Sequence, residues 1–344
     1  DNNKHVFEVG AGRINGKHKH LMDLIKEFGL NKKIIKISGE TTFITKNKSL
    51  KSFRKTPYDY FQKLYRVSKS MSEGDLRGMT FLDLCKKKLG VKITRFLTSS
   101  YAYNDEFKTN AYDALRLYKK TMDPSSNKYY ILHGGLSQLI REMERRILRM
   151  RGTIIKSCEV VDIKHASNFT LKINKNGRKS VVKTEFLYLA LPKPALQKFK
   201  ILNPAKKWIK SVGQSSLNRI YAVFPPDKNG KYWFEGMGKM ITDNELRFII
   251  PIDPRKGSIM ISYGDEEYAR YWGQQVSTTN KSNWVAKLMK KTRHLFGENV
   301  PDPIWVESYF WKNGVSHWKK NAASVDVTAA MRQPLGDDIK LYTC

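Results

Sequence analysis

Cysteine, acid and long apolar runs are all scarce in this chain, and each shortage removes a class of protein. The three cysteines, Cys85, Cys158 and Cys344, are odd in number and far apart along 344 residues. That is no disulfide framework, and it lacks the close pairs on which zinc and redox sites are built. The thiols read as buried or idle side chains of an intracellular protein kept in a reducing compartment. No stretch approaches the ~20 consecutive apolar residues of a membrane-spanning helix, so the sequence reads as soluble and globular with no transmembrane segment. No signal peptide is visible. Walker A, H-E-x-x-H and EF-hand patterns are missing, as are internal repeats and low-complexity segments.

The shortage of acid is the largest. Asp and Glu number 32 against 63 Lys and Arg, a formal net charge of +31 spread along the chain instead of gathered in a tail. Such a field attracts polyanions, nucleic acid among them. A lysine-rich coding habit gives the same composition with no such partner, and no zinc-finger, RNA-recognition or helix-turn-helix signature accompanies the charge.

What is present is enough for roughly two domains. Hydrophobic residues make up 40% and aromatic residues 12% of the chain, enough to fill two cores. A short strand is expected at Val6 to Val9, running into Gly10-Ala11-Gly12-Arg13-Ile14-Asn15-Gly16 and then a helix with Leu21, Leu24, Ile25 and Phe28 on one face, capped by Gly29. Strand, glycine-rich turn and helix is the local shape of a nucleotide-binding unit, but the spacing is not G-x-G-x-x-G. From Ser52 to Lys120 the pattern is helical, and Pro124 with Ser125-Ser126-Asn127 marks a domain crossing. A second strand, turn and helix follows at Tyr129 to Leu148 through His133-Gly134-Gly135. This turn superficially looks like a lipase oxyanion loop, but the chain has no G-x-S-x-G elbow for it to serve.

Phe169 to Ile173 and Ser180 to Phe186 pair across Asn174-Lys175-Asn176-Gly177 as a hairpin. A buried strand, Leu187 to Leu191, stops at Pro192. Strands are then expected at Leu217 to Phe224, Tyr232 to Glu235, Leu246 to Ile250 and Ser258 to Tyr263, forming an antiparallel sheet. A helix near Asn283 to Phe296 precedes a last strand, Ile304 to Trp311. The alternation suits two interleaved, discontinuous domains. The chain opens on Asp1 and closes on Cys344 inside the run Ile339 to Thr343, which reads as a fold whose ends lie outside it.

These residues together resemble the flavin-containing amine oxidase family, which includes monoamine and polyamine oxidases. Phe7 to Ile14 and Phe28-Gly29-Leu30 are similar to the family's first strand, turn and helix end; Gly134-Gly135 with Val160 resembles its Gly-Gly segment and the Val whose backbone meets the adenine. Leu189-Ala190-Leu191-Pro192 resembles the strand end A-(I/L)-P, and Met331-Arg332-Gln333-Pro334 with Ile339 to Tyr342 resembles the approach to the last flavin-binding strand. The family's G-x-G-x-x-G turn and its Gly-Glu motif fall before Asp1 and after Cys344.

The resemblance implies an α/β fold of mixed α+β character: an FAD/NAD(P)-binding Rossmann-like domain, 1–36, 129–203 and 319–344, interleaved with a substrate domain of antiparallel sheet and helices, 37–128 and 204–318. It implies FAD as cofactor, with Gly10, Ala11, Gly12, Arg13, Ile14, Val160, Ala190 and Pro192 as binding residues. It implies an amine or polyamine as substrate, oxidised by hydride transfer to the flavin, with oxygen as acceptor and peroxide and an imine or aldehyde as products. Arg219 stands where the family has a lysine that holds a water at flavin N5; it is otherwise a surface cation on an edge strand. Trp318 falls near one wall of the family's aromatic cage, or else fills core, and His317 beside it is either a substrate contact or structural. The alternative is a family member without strong catalysis, retained as a structural or polyanion-binding protein. Its lysine- and asparagine-rich style resembles amine oxidases of large DNA viruses, which suits a virion-associated component. Neither the amine nor the oligomeric state follows from the sequence.

Overall fold

The computed structural model describes residues 5–121 and 128–343, with only the helical backbone of Lys120 and Thr121. The expected crossing at Pro124 to Asn127 and the thiol of Cys344 lie outside them. Two compact units form, Asp1–Glu142 with Gln214–His317, and Met143–Gly213 with Trp318–Cys344.

The first unit opens without regular structure. Val6 to Val9 are not a strand, contrary to the expectation, because the carbonyls of Glu8 and Val9 are taken by side chains. Strand β1 (Ile14–Asn15) leads into helix α1 (Lys19–Glu27), and β2 (Ile34–Ile37) and β3 (Thr41–Ile44) follow. Five helices come next: α2 (Lys48–Lys51), α3 (Pro57–Ser68), α4 (Glu73–Arg77), α5 (Phe81–Ser100) and α6 (Ala111–Thr121). Their starts are written locally. Thr56 with Asp59 and Thr80 with Asp83 form capping boxes, each satisfying two backbone N–H groups that a helix leaves open. Between α3, α5 and α6, Phe61 lies 4.4 Å from Tyr118 and 5.5 Å from Phe81, all fully buried. Removing a ring of this kind typically costs about 3–5 kcal/mol.

Strand β4 (Tyr129–Leu132) pairs antiparallel with both β1 and β2, and α7 (Ser137–Arg149) follows. The chain returns to this unit with β9 (Val212–Val223), β10 (Lys239–Thr242), β11 (Phe248–Asp253), β12 (Ser258–Asp265), helices α10 (Glu266–Thr278) and α11 (Lys281–Phe296), and β13 (Trp305–Trp318). They make a six-stranded sheet in the order β13-β9-β12-β11-β10-β3. It is antiparallel from β9 to β10, with β3 added parallel, Lys239 beside Thr41. Ile220, Ile249, Ile259 and Ile261 of the sheet bury against Trp272, Trp284 and Leu288 of the two helices. Tyr232 to Glu235 are not a strand. Glu235 N–H and Met237 N–H close tight turns on Tyr232 and Phe234, and the aromatics were selected for the core that Phe234 fills.

The second unit holds β5 (Cys158–His165), β6 (Phe169–Lys175) and β7 (Arg178–Thr184), an antiparallel meander. Asn176 and Gly177 take φ of 51° and 85°, the left-handed pair a two-residue hairpin needs, and this is the expected Asn-Gly turn. Strand β8 (Leu187–Leu189) runs into α8 (Lys193–Leu196) and α9 (Lys206–Lys210), and after α12 (Ser324–Arg332) the last strand β14 (Leu341–Thr343) pairs parallel with β8. Phe169, Leu171, Leu187, Leu189 and Leu341 form its core. Among the described residues no helix is long and apolar enough to cross a membrane.

Candidate functional site

Segment 5–13 is held on the first unit's sheet by two side chains of β9. The Arg219 Nη1 donates to the carbonyls of Glu8 at 2.9 Å, Val9 at 3.2 Å and, closer still, Gly10. The Tyr221 hydroxyl donates to the same Glu8 carbonyl at 2.7 Å. Phe7 stacks on Trp305 at 5.2 Å and lies 4.8 Å from Tyr221. The Glu8 carboxylate turns the other way and accepts the Leu136 N–H, 2.5 Å away, at the start of α7. Gly135, at φ 87°, sits directly under that carboxylate, where a Cβ would collide with it.

Arg219 is therefore no edge cation: β9 lies between β13 and β12, and its guanidinium stacks 5.1 Å over the Tyr263 ring. Nor are its Nη1 donors open to a water, since backbone carbonyls take them.

Beyond the clamp, the N–H groups of Gly10, Ala11, Gly12 and Arg13 meet no acceptor among the described residues. Gly10 and Ala11 are exposed and Gly12 half-buried. Ile14 is fully buried in β1 opposite Tyr130, so its side chain belongs to a core. The Arg13 Nη2 donates to the Tyr103 hydroxyl at 2.5 Å, and its guanidinium lies 5.9 Å from the centre of the Tyr129 ring. All three line a cavity of about 1010 Å³ within this unit, together with Phe43, Tyr58 and Lys239.

His317, near the end of β13, is tied by Nδ1 to the Asp105 carboxylate at 2.8 Å, and the Ser215 hydroxyl donates to the same oxygen. Both side chains of the His–Asp pair are at most one-tenth exposed, at 10% and 7%. Asp105 was not foreseen, because 212 residues separate it from His317. Asp265 accepts the Asn104 N–H at 3.0 Å and the Asp105 N–H at 2.9 Å, and Glu106 accepts the hydroxyls of Tyr101 at 2.7 Å and Tyr118 at 2.8 Å.

Loss of water around these groups pushes the Glu106 carboxyl up to about 7, against the pull of the two tyrosine hydroxyls, and the Asp265 carboxyl up to about 6. Between their ordinary values, 4.5 and 3.8, and these raised ones, the folded protein holds protons that the unfolded chain has released. Their contribution is full below the ordinary values and is lost as pH rises through about 6 to 7. At about 1.4 kcal/mol per unit, Glu106 alone carries a change on the order of 2–3 kcal/mol. Urea midpoints measured from about pH 5 to about pH 8 should therefore fall more steeply in the native protein than in Glu106→Gln; equal slopes would show that Glu106 does not titrate there.

The remaining candidates belong to the second unit. Val160 is half-buried against the leucine-rich core, next to a bulge in β5. Ala190 and Pro192 are exposed past the end of β8, Pro192 as the residue before α8. Trp318 closes β13, half-buried. Among the described thiols, Cys85 is buried and pushed up to about 12 by loss of water, and Cys158 is half-buried.

Among curated proteins none matches the chain. Among solved structures, a cyclohexylamine oxidase from Brevibacterium oxydans superposes with a TM-score of 0.71 at 15% identity, over 98% of this chain and 81% of that one. A putrescine oxidase redesigned in its cofactor binding superposes with a TM-score of 0.72 at 14% identity, over 98% of this chain and 82% of that one. Likeness at such identity establishes the fold, mixed α/β of the Rossmann-like amine oxidase type. The family model described as flavin containing amine oxidoreductase matches residues 1–336. The chain belongs to the flavin-containing amine oxidoreductase family.

Proposed function

We propose that this protein is an FAD-dependent amine oxidase, with 1–36, 129–203 and 319–344 serving the cofactor and 37–128 and 204–318 serving the substrate. The observation that carries the reading is the segment Gly10–Arg13: consecutive N–H donors without an acceptor among the described residues, two of them on glycines, in a segment clamped by Arg219 at Glu8, Val9 and Gly10. Gly10 has open space where a Cβ would stand, so a planar or phosphate-bearing group reaches the backbone closely there. The residues present fit a flavin in this respect, and Gly10, Ala11, Gly12 and Arg13 would hold it.

A bound flavin supplies the acceptor for a hydride equivalent from the carbon beside a neutral amine, oxygen serving as final oxidant to give peroxide and an imine. The chain's own part is to orient and to exclude water. Arg219 fixes the segment in place as a permanent cation and cannot serve as a base. Tyr103 and Tyr129 give the amine's body an aromatic wall within the first unit's cavity. His317, its Nδ1 held by Asp105, has only Nε2 left to meet a substrate. Purified full-length protein is expected to be yellow, with flavin absorbance near about 450 nm that bleaches when an amine is added without oxygen. A correctly folded, colourless protein that does not take up added FAD would refute this reading.

A further inference from the structure

The second unit gathers cations on a stretch that supplies no acid. Between Glu185 and Asp227 there is no Asp or Glu, while Lys193, Lys198, Lys200, Lys206, Lys207 and Lys210 all fall there. Leu196, Phe199, Leu202 and Ile209 bury in the unit's core, which pins the turns between them and leaves Lys198, Lys200, Lys206, Lys207 and Lys210 exposed. On α9, Lys206, Lys207 and Lys210 stand at i, i+1 and i+4, on the side away from buried Ile209 and half-buried Trp208. Among the described residues no carboxylate pairs with any of these five ammonium groups.

A second lysine run joins them from far along the chain. The Lys319 N–H donates to the Ser211 carbonyl at 3.0 Å, directly after α9. Loss of water, and then the charge of Lys319, lowers the Lys193 ammonium from its ordinary range, so the two cations lie within each other's field. A lysine-rich coding habit scatters charge along a sequence; it does not bring two distant runs together in space against their own repulsion.

The character of the surface selects among anions. No large apolar side chain is exposed from residue 189 to residue 236, so nothing here would enter a bilayer. The cations of 193–210 are all lysines, point charges without the planar fork by which arginine reads a carboxylate or a base edge. The Trp208 ring is covered by the Lys207 ammonium, 4.4 Å from its centre, and offers no platform for an unpaired base. What remains is the phosphate backbone of a duplex.

We propose that α9, with Lys198 and Lys200, forms a docking surface for double-stranded nucleic acid, bound through its phosphates without regard to sequence. This goes beyond the oxidase reading and does not depend on it. The test is fluorescence anisotropy of the full chain with two DNA duplexes of about 20 base pairs and unrelated sequence, from about 50 to about 200 mM salt. Both should bind within about threefold of each other, with log affinity falling against log salt by roughly 0.9 per phosphate met. The triple variant Lys206→Ala, Lys207→Ala, Lys210→Ala should lose at least about tenfold for both duplexes and reduce that slope by about 2–3. The matching arginine triple should keep the native slope. Lys86→Ala, Lys87→Ala, Lys92→Ala, which removes three exposed lysines of α5, should stay within about threefold of the native protein. Equal losses in the two alanine triples would show that net charge binds and this surface does not, which overturns the proposal, as would an α9 triple with the native slope. Binding to phosphatidylserine vesicles that persists in excess duplex would reassign the surface to a bilayer and also overturn it.

Discussion

Arg247→Ala is expected to destabilise the protein by about 3–5 kcal/mol, the range for stripping a buried charge from its partners. The side chain is fully buried. Its Nη1 donates to the carbonyls of Ser99 at 2.7 Å and Thr242 at 2.8 Å; its Nη2 donates to those of Thr98 at 3.0 Å and Tyr101 at 2.6 Å and to Asn104 Oδ1 at 2.9 Å. Thr98, Ser99 and Tyr101 close α5, whose last carbonyls have no partner within the helix, and a cation there also answers the helix dipole. One guanidinium thus satisfies a helix end, a strand end and a loop, with its face 4.5 Å over Tyr268. Alanine would leave those carbonyls dry and remove a positive charge that favours the Asp265 carboxylate. Urea unfolding of Arg247→Ala measures the loss, and a change under about 1 kcal/mol would mean that water replaces the arginine without penalty. Arg247→Lys should recover only part, since a point charge does not span acceptors arranged for a planar fork.

Arg219→Ala is expected to be the most damaging single change for cofactor retention under the oxidase reading. Hydrogen bonds from a charged donor contribute about 1.5–3 kcal/mol, and Arg219 supplies the bonds that fix Glu8, Val9 and Gly10. Without them segment 8–13 keeps the Tyr221 bond, the packing of Phe7, the Glu8 carboxylate and the Arg13–Tyr103 bond but loses its fixed position at Val9 and Gly10, and flavin affinity should fall by about tenfold to a hundredfold. Here Arg219→Lys should do well, in contrast to position 247, because three carbonyls converging on one point match an ammonium's three donors. Flavin released during gel filtration is the readout. Equal retention by the alanine and native proteins would separate the clamp from the cofactor and return Arg219 to a purely structural role.

Local rules made much of the fold readable. The Asn176-Gly177 hairpin, the helix after Gly134-Gly135 and the helix over Lys281–Phe296 follow from φ preferences, glycine turns and apolar periodicity, all of which act over a few residues. Where reading failed, the governing partner was distant. Val6 to Val9 are rich in strand-forming residues, but a strand is made by its neighbour, and the groups that claim the Glu8 carbonyl are the side chains of Arg219 and Tyr221. Tyr232 to Phe234 are apolar because they fill a core, and apolar content alone does not separate a strand from a buried turn. At the candidate site, Asp105 beside His317 and Arg13 beside Tyr103 carried no motif, since both are tertiary meetings between ordinary residue types.

The parallel pairing of Lys239 with Thr41 has a consequence for how the protein comes off the ribosome. Strand β3 is synthesised almost two hundred residues before the strand that completes its edge. Until then the nascent chain exposes an unpaired β-edge beside a helical cluster already able to collapse on its own aromatic residues. Translation speed through the intervening stretch, more than the stability of the finished sheet, sets how long that edge is open to other chains.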